Sequence, residues 1–243
     1  MILGPMSYPE RIIPQETSAG IFAVHLKRYE FARPFCAGKT VLDAACGVGY
    51  GSAYLGEVAG SVLGVDVSEE ALAYAREHYR ADTVDFALMD VLALEVPDRS
   101  FDVVCSFETI EHVDDPGAAV TEAARVLRPE GTYVVSTPRA EHTTTAPANP
   151  FHLVELSPED FESTLRERFA EVELYGQRRP QTRRHRTMQR LDVLGLRRRL
   201  SFLHGASRIV GTPATVDLTL DDLVIDDDIA AADELVAVCR VPR

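Results

Sequence analysis

The chain of 243 residues has no tryptophan and only four cysteines, Cys36, Cys46, Cys105 and Cys239, none in CxxC spacing. Thiols scattered in this way give neither a disulfide framework nor a zinc ligand set. They read as reduced, three of them within or beside apolar runs. No apolar run approaches the roughly 18–20 residues of a membrane span. The opening MILGPMSYPERII breaks its short apolar runs with Pro5, Pro9 and charges, unlike a secretory leader. A cytoplasmic protein without a membrane span is expected. Basic residues are scarce as well, 25 against 38 acidic ones, for a net charge of −13. Such a surface repels polyphosphate backbones, so no nucleic-acid partner is expected.

What basic charge there is concentrates in one place. Between Arg178 and Arg199, RRPQTRRHRTMQRLDVLGLRRR carries nine arginines and one acid, Asp192. It reads either as a solvated insertion or as a site for an anionic substrate group or acidic surface, with Arg183, Arg184 and Arg186 at its centre.

Elsewhere short β-branched runs alternate with helical patterns, in the order SVLGVDV (61–67), SEEALAYAREHY (68–79), VDFALMD (84–90), FDVVCSF (101–107), PGAAVTEAARVL (116–127) and GTYVVSTP (131–138). That alternation predicts βαβ units and an α/β fold with a mostly parallel sheet. Ser68 precedes two acids, Asp115 precedes Pro116, and Ser157 with Asp160 makes a capping-box variant, three expected helix starts. Pro129 and Gly131 are expected to stop the helix that begins at Pro116. AEVELYGQ (170–177) and DELVAVCRV (233–241) read as two last strands, with the arginine-rich insertion (178–230) in their connection. IFAVHLKRYEFARPF predicts a helix flanking the first strand. One domain is expected over 1–243, with a flank at 1–38, a cofactor-binding core at 39–138 and acceptor-side loops beyond.

That first strand runs into VLDAACGVGYGSAYL, with Gly47, Gly49 and Gly51 at alternate positions. Glycines there permit positive φ and a close ligand approach, and the following helix offers free N–H groups. The dinucleotide fingerprint would place its third glycine at position 52, which is Ser52. Nineteen residues after Gly47, Asp66 ends a strand, placed to accept a ribose diol from a dinucleotide or an adenosyl ligand. Asp43 ends the first strand and separates the two: a pyrophosphate rejects a carboxylate neighbour, whereas a ligand carrying a sulfonium and an ammonium accepts one. Asp43 could also receive backbone N–H bonds from the loop, a reading compatible with ligand contact. Asp90 ends a further strand, suited to an adenine amine, with the backbone N–H of Val91 beside it.

VLDAACGVGYG, GVDVS, MDV, FDVVCSFETIEHVDDP and RVLRPEGTYVVSTP together resemble the successive motifs of class I S-adenosylmethionine-dependent methyltransferases. Within that class they are most similar to the small-molecule group that includes ubiquinone-pathway and antibiotic-sugar enzymes (methyltransferase type 11). The resemblance implies a Rossmann-like seven-stranded sheet with helices on both faces, an antiparallel last strand and S-adenosylmethionine at the strand ends. By position it implies that Ala45 and Gly47, with Gly49 in the same loop, hold the amino-acid part of the cofactor. It further implies that Asp66 and Val67 hold the ribose, Asp90 and Val91 the adenine, that Phe107 lies near the methionine, and that His25 or Arg28 meets its carboxylate. Ala45 stands where that family usually has glycine.

Methyl transfer needs a positioned acceptor and, for a hydroxyl, a base. His112 in IEHVDDP and His152 in NPFHLVE are the candidates, each also readable as a structural hydrogen-bonding residue. Glu108, Glu111, Asp114 and Asp115 read as a loop and a helix cap, and no metal site is expected. His142 with Thr143–Thr145 reads as a mobile acceptor loop. The expected activity is methylation of a small-molecule hydroxyl (sugar, natural product or glycan precursor; amine or carbon less favoured), with an anionic acceptor if the arginines engage it, in a monomer or homodimer. The alternatives are an NAD-dependent oxidoreductase and a non-catalytic adenosyl-binding regulatory module.

Overall fold

A computed structural model describes residues 11–179 and 218–243. The arginine-rich stretch from 180 onward, including Arg183, Arg184 and Arg186, lies outside the described residues, as do the first ten.

Five strands form the parallel part of the sheet: β1 (Thr40–Ala44), β2 (Ser61–Asp66), β3 (Val84–Leu88), β4 (Phe101–Phe107) and β5 (Leu127–Pro138). β6 (Phe169–Arg178), β7 (Val224–Asp226) and β8 (Glu234–Pro242) complete it in antiparallel pairings. The order is β3-β2-β1-β4-β5-β8-β6-β7. The sheet is therefore eight-stranded among the described residues rather than seven. The extra strand is three residues that pair Asp226, Ile225 and Val224 with Gly176, Gln177 and Arg178, too short and too acidic for a strand pattern to show. Arg178 closes that edge through Asp226 and Asp228.

Helices cover both faces: α1 (Ala19–Cys36), α2 (Tyr50–Gly56) and α3 (Glu69–His78) on one, α4 (Pro116–Val126) and α5 (Pro158–Arg166) on the other. The caps form as their residue types dictate. The Ser68 side chain accepts from Ala71 N–H, Asp115 from Ala118 N–H and Ser157 from Asp160 N–H. The reciprocal half of the last capping box runs through another residue. Ser157 N–H donates to Thr143 Oγ1, and that hydroxyl donates to Asp160. Thr144 also bridges Glu155, so the loop expected to be mobile is tied to the start of α5. Helix α4 stops at Val126, and Pro129 and Gly131 lie inside β5, beside a register shift between Phe101 and Val103.

Apolar side chains fill two layers. Leu42, Val104, Tyr133 and Val135 pack with α4 and α5, while Val41, Val103, Cys105 and Val134 pack with α1, α2 and α3. All four cysteines are buried free thiols. No helix among the described residues is long and apolar enough to cross a membrane. The direction of chain progression reverses between β1 and β4, and a crevice opens at the carboxyl ends there.

Candidate active site

The three glycines of the first turn have three different physical reasons. Gly47 has φ +55°, and a Cβ there would meet nothing within 4 Å, so it faces open space in the crevice. Gly49 has φ +86° and a Cβ would lie 2.7 Å from the Phe86 ring and 2.8 Å from Ala75, so it lets α2 start against the sheet. A Cβ on Gly51 would lie 1.9 Å from Tyr29 Cζ, so it admits α1 across α2. Ala45 has φ +64°, the left-handed conformation that favours glycine, and carries strain of about 1 kcal/mol.

The crevice is a cavity of about 1020 Å³. From the β2 and β3 side it is walled by Asp66, Val67, Asp90 and Val91, from the β1 turn by Ala45 and Gly47, from β4 by Phe107, and from α1 by Arg28. His112 and His152 line it beyond β4 and β5. The structure thus brings together every candidate except Asp43 and Gly49.

Asp43 lies behind the wall and is fully buried. It accepts from Ser52 Oγ at 2.6 Å and from Tyr29 Oη at 3.2 Å. Burial pushes its carboxyl up to about 6 against the pull of those two hydroxyls, and the charge of Asp66 adds to the rise. Ser52, where the dinucleotide fingerprint would have glycine, is the residue that holds it.

Asp66 does two tasks at the end of β2. Its Oδ2 accepts from Gly47 N–H and its Oδ1 from Ser68 N–H, both at 2.9 Å, so the carboxylate clamps the glycine turn to the next helix start. Asp90 is exposed and accepts from Leu92 N–H at 2.9 Å. Each carboxylate oxygen keeps a lone pair for a ligand hydroxyl or amine.

Arg28 is fully buried. Its guanidinium reaches His25 Nδ1 at 2.9 Å, Gln177 Oε1 at 3.3 Å and Glu108 at 3.9 Å, while its Nε has no partner among the described residues. Burial and the neighbouring Arg28 charge pull His25 down to about 3 despite Glu108, so this imidazole is neutral. Glu108 itself sits at φ +51°. Burial would raise it, but the Arg28 charge and the Ser136 hydroxyl hold it below the usual carboxylate range. Burial and the charge of Glu108 raise both Glu111 and Glu234 well above that range. Sequence reasoning had placed Glu108 and Glu111 in a loop and overlooked Glu234; only the crossing of β4, β5 and β8 brings the three together.

Six carboxyl groups, of Asp66, Asp90, Glu108, Glu111, Glu155 and Glu234, line the cavity with two arginines, Arg11 and Arg28, and even with Glu111 and Glu234 pushed toward the neutral form the acids outnumber the arginines. That balance suits a ligand bearing cationic centres and one carboxylate. An open left-handed turn, two strand-end acids and a buried arginine with an unused N–H fit S-adenosylmethionine. Fold and crevice together resemble those of class I S-adenosylmethionine-dependent methyltransferases. Residues 42–135 match the family described as "Methyltransferase domain".

A protein of Mycolicibacterium smegmatis described as "Probable S-adenosylmethionine-dependent methyltransferase" is 38% identical over 168 residues, 68% of this chain and 65% of that protein. A ubiquinone biosynthesis O-methyltransferase of Methylococcus capsulatus is 34% identical over 122 residues, 48% of this chain and 52% of its own. The match thus spans less than two thirds of either relative. The crystal structure of an S-adenosylmethionine-dependent methyltransferase from Thermotoga maritima superposes with a TM-score of 0.63 at 17% identity, covering 92% of this chain and 91% of the other, a likeness of fold.

Proposed function

We propose that this protein transfers the methyl group of S-adenosylmethionine to a hydroxyl of a small molecule such as a sugar, natural product or glycan precursor. The observation that carries the reading is the single cavity that runs from Asp66 and Asp90 to a histidine pair, His112 and His152, beyond β4. Gly47 and Ala45 would hold the amino-acid part of the cofactor, Arg28 its carboxylate, Asp66 with Val67 the ribose, and Asp90 with Val91 the adenine. Phe107 would pack near the methionine, while Asp43 and Gly49 would act from behind by fixing the turn. Bound there, the cofactor supplies an activated methyl group.

The protein's own task is then to orient the hydroxyl and take its proton. His152 Nδ1–H donates to Glu155 Oε1 at 2.7 Å, and its Nε2 accepts from the Asn149 amide at 2.9 Å. His112 Nδ1–H donates to the Phe151 carbonyl at 2.9 Å. These contacts fix both tautomers with Nε2 as the acceptor nitrogen, which in His152 has to release the Asn149 amide before it takes a proton. The oxygen gains the methyl, its proton moves to an imidazole Nε2, and the ring returns it to water. The ubiquinone relative supports oxygen as the methylated atom through its name. An anionic group on the acceptor would meet the arginine-rich segment, and charge reversal at Arg183, Arg184 and Arg186 would then raise KM.

Thermal unfolding with S-adenosylmethionine, S-adenosylhomocysteine or NAD tests the reading. A ligand at 100 times its Kd adds about 2.7 kcal/mol. Stabilisation by the adenosyl pair alone supports it, and stabilisation by NAD alone overturns it. With an acceptor in hand, His152→Ala and His112→Ala are expected to lower kcat by about 10²-fold or more for whichever is the base. Unchanged turnover in both would remove the base.

A further inference from the structure

We propose that Glu111, His112 and His152 form a binding site for one divalent transition-metal ion at the acceptor end of the cavity. One ligand atom from each residue lies within 4.8 Å of the other two. Glu111 is 1% exposed; Thr137 Oγ1 donates to its Oε2 at 3.2 Å, while its Oε1 is buried with no partner among the described residues. A buried oxygen left unpaired is destabilising unless something fills its place. The two imidazoles stand edge to face, with centroids 4.9 Å apart.

Both rings are already held in the manner of metal ligands. A ligating histidine characteristically donates its second ring N–H to a carboxylate or a carbonyl, which fixes the tautomer and raises basicity. His152 does so to Glu155, and His112 to the Phe151 carbonyl, while His152 Nε2 accepts from the Asn149 amide at 2.9 Å, a contact the ion has to displace. The backbone holds the two segments together, since Leu153 N–H donates to the Glu111 carbonyl at 2.7 Å. Glu111 and His112 come from the 3-10 turn after β4 (Ile110–His112), and His152 from the loop before α5. The carboxylates considered from sequence for a metal were adjacent in the chain; the ligand that completes this set is forty residues away.

Two nitrogens and one oxygen suit zinc, ferrous iron or cobalt, whereas magnesium and calcium take oxygen ligands. Bonds of about 2.0–2.2 Å would draw the three atoms to within about 3–3.5 Å of one another, a closure of up to about 1.5 Å by side-chain rotation. Three protein ligands leave open positions facing the cavity, where an acceptor hydroxyl can bind. A coordinated imidazole nitrogen has no lone pair for a proton. In the ion-loaded protein the hydroxyl therefore binds the ion directly and loses its proton to water, instead of to His112 or His152. This consequence rests on the proposed methyl transfer; binding of the ion does not.

The test titrates Co2+ into the chelator-stripped full chain, read by calorimetry and by visible absorption, with thermal unfolding plus S-adenosylhomocysteine on the same samples. The expected result is one ion bound with a Kd of about 10 µM or tighter. Glu111→Gln and His152→Gln should each weaken it at least about 30-fold, and His142→Ala, outside the cluster, should leave it unchanged. If one variant does not fold, the other carries the test, and the adenosyl-ligand shift reports folding. Absence of Co2+ binding, or binding equally tight in all variants, overturns the site while a retained adenosyl-ligand shift leaves the methyltransferase reading standing. Cluster-dependent Co2+ binding with no adenosyl-ligand shift upholds the site and removes that reading instead.

Discussion

Tyr29 on α1 donates its hydroxyl to Asp43 at the end of β1 across 3.2 Å, through the gap that Gly51 leaves in α2. Helix, strand and glycine turn are joined at this one contact, directly behind the crevice. Tyr29 also packs edge-on against Phe107, with centroids 4.9 Å apart. Gly51→Ala would drive a methyl into the phenol ring, which is buried and cannot swing aside. The expected cost is about 1–3 kcal/mol by overpacking, measured by urea unfolding. A variant as stable as the parent would show that α1 can shift away freely.

The same contact makes stability depend on pH. Asp43 titrates near 6 when folded and near the ordinary 3.8 when unfolded, so the native state binds its proton more tightly. Stability therefore falls as pH rises from about 4 to 6, and the penalty is complete above 6, on the order of 3 kcal/mol. The groups around it are Tyr29 from α1, Ser52 from α2, Cys46 from the turn, Asp66 from β2 and Cys105 from β4. Asp43→Asn cannot ionise. The stability difference between the two proteins is expected to shift in favour of Asn by that amount across pH 4 to 6.5, and parallel curves would contradict it.

The alternation of strands and helices was legible in the sequence because each signal is local: an apolar run, a serine or aspartate cap, a glycine. Asp66 and Asp90 were legible for the same reason, since the end of a strand is marked in the chain itself. The pairing of Tyr29 with Asp43, the approach of His152 to Glu111 and the burial of Glu234 beside Glu108 were not, because each joins segments far apart in sequence. Asp43 shows the limit most clearly. Its position predicted contact with a ligand, but Ser52 and Tyr29 turn it away from the cavity.

Ala45 offers a stabilising substitution. Its φ of +64° suits glycine, and relief of about 1 kcal/mol is partly offset by the greater freedom of glycine in the unfolded chain. Ala45→Gly is expected to raise stability by about 0.5–1 kcal/mol in urea unfolding, with Tm rising by about 1–4 °C. A lower Tm would mean that the alanine methyl makes packing contacts worth more than the strain.

Asp66 and Asp90 are proposed for the two ends of the adenosine, yet they differ in what else they hold. Asp66 joins Gly47 N–H to Ser68 N–H, one on each oxygen, whereas the Asp90 carboxylate accepts Leu92 N–H alone among the described residues. In Asp66→Asn an amide N–H2 must face one of those donors, so one turn loses its anchor. That variant is expected to lose about 1–3 kcal/mol of stability and to raise the Kd for S-adenosylhomocysteine about 10- to 100-fold. Asp90→Asn should weaken the ligand with less than about 1 kcal/mol of change in stability, because its side chain is exposed. Calorimetric titration of both variants, beside urea unfolding, separates the two effects. Unaltered affinity in Asp66→Asn would remove the ribose from this position and leave the carboxylate as a clamp for the turn alone.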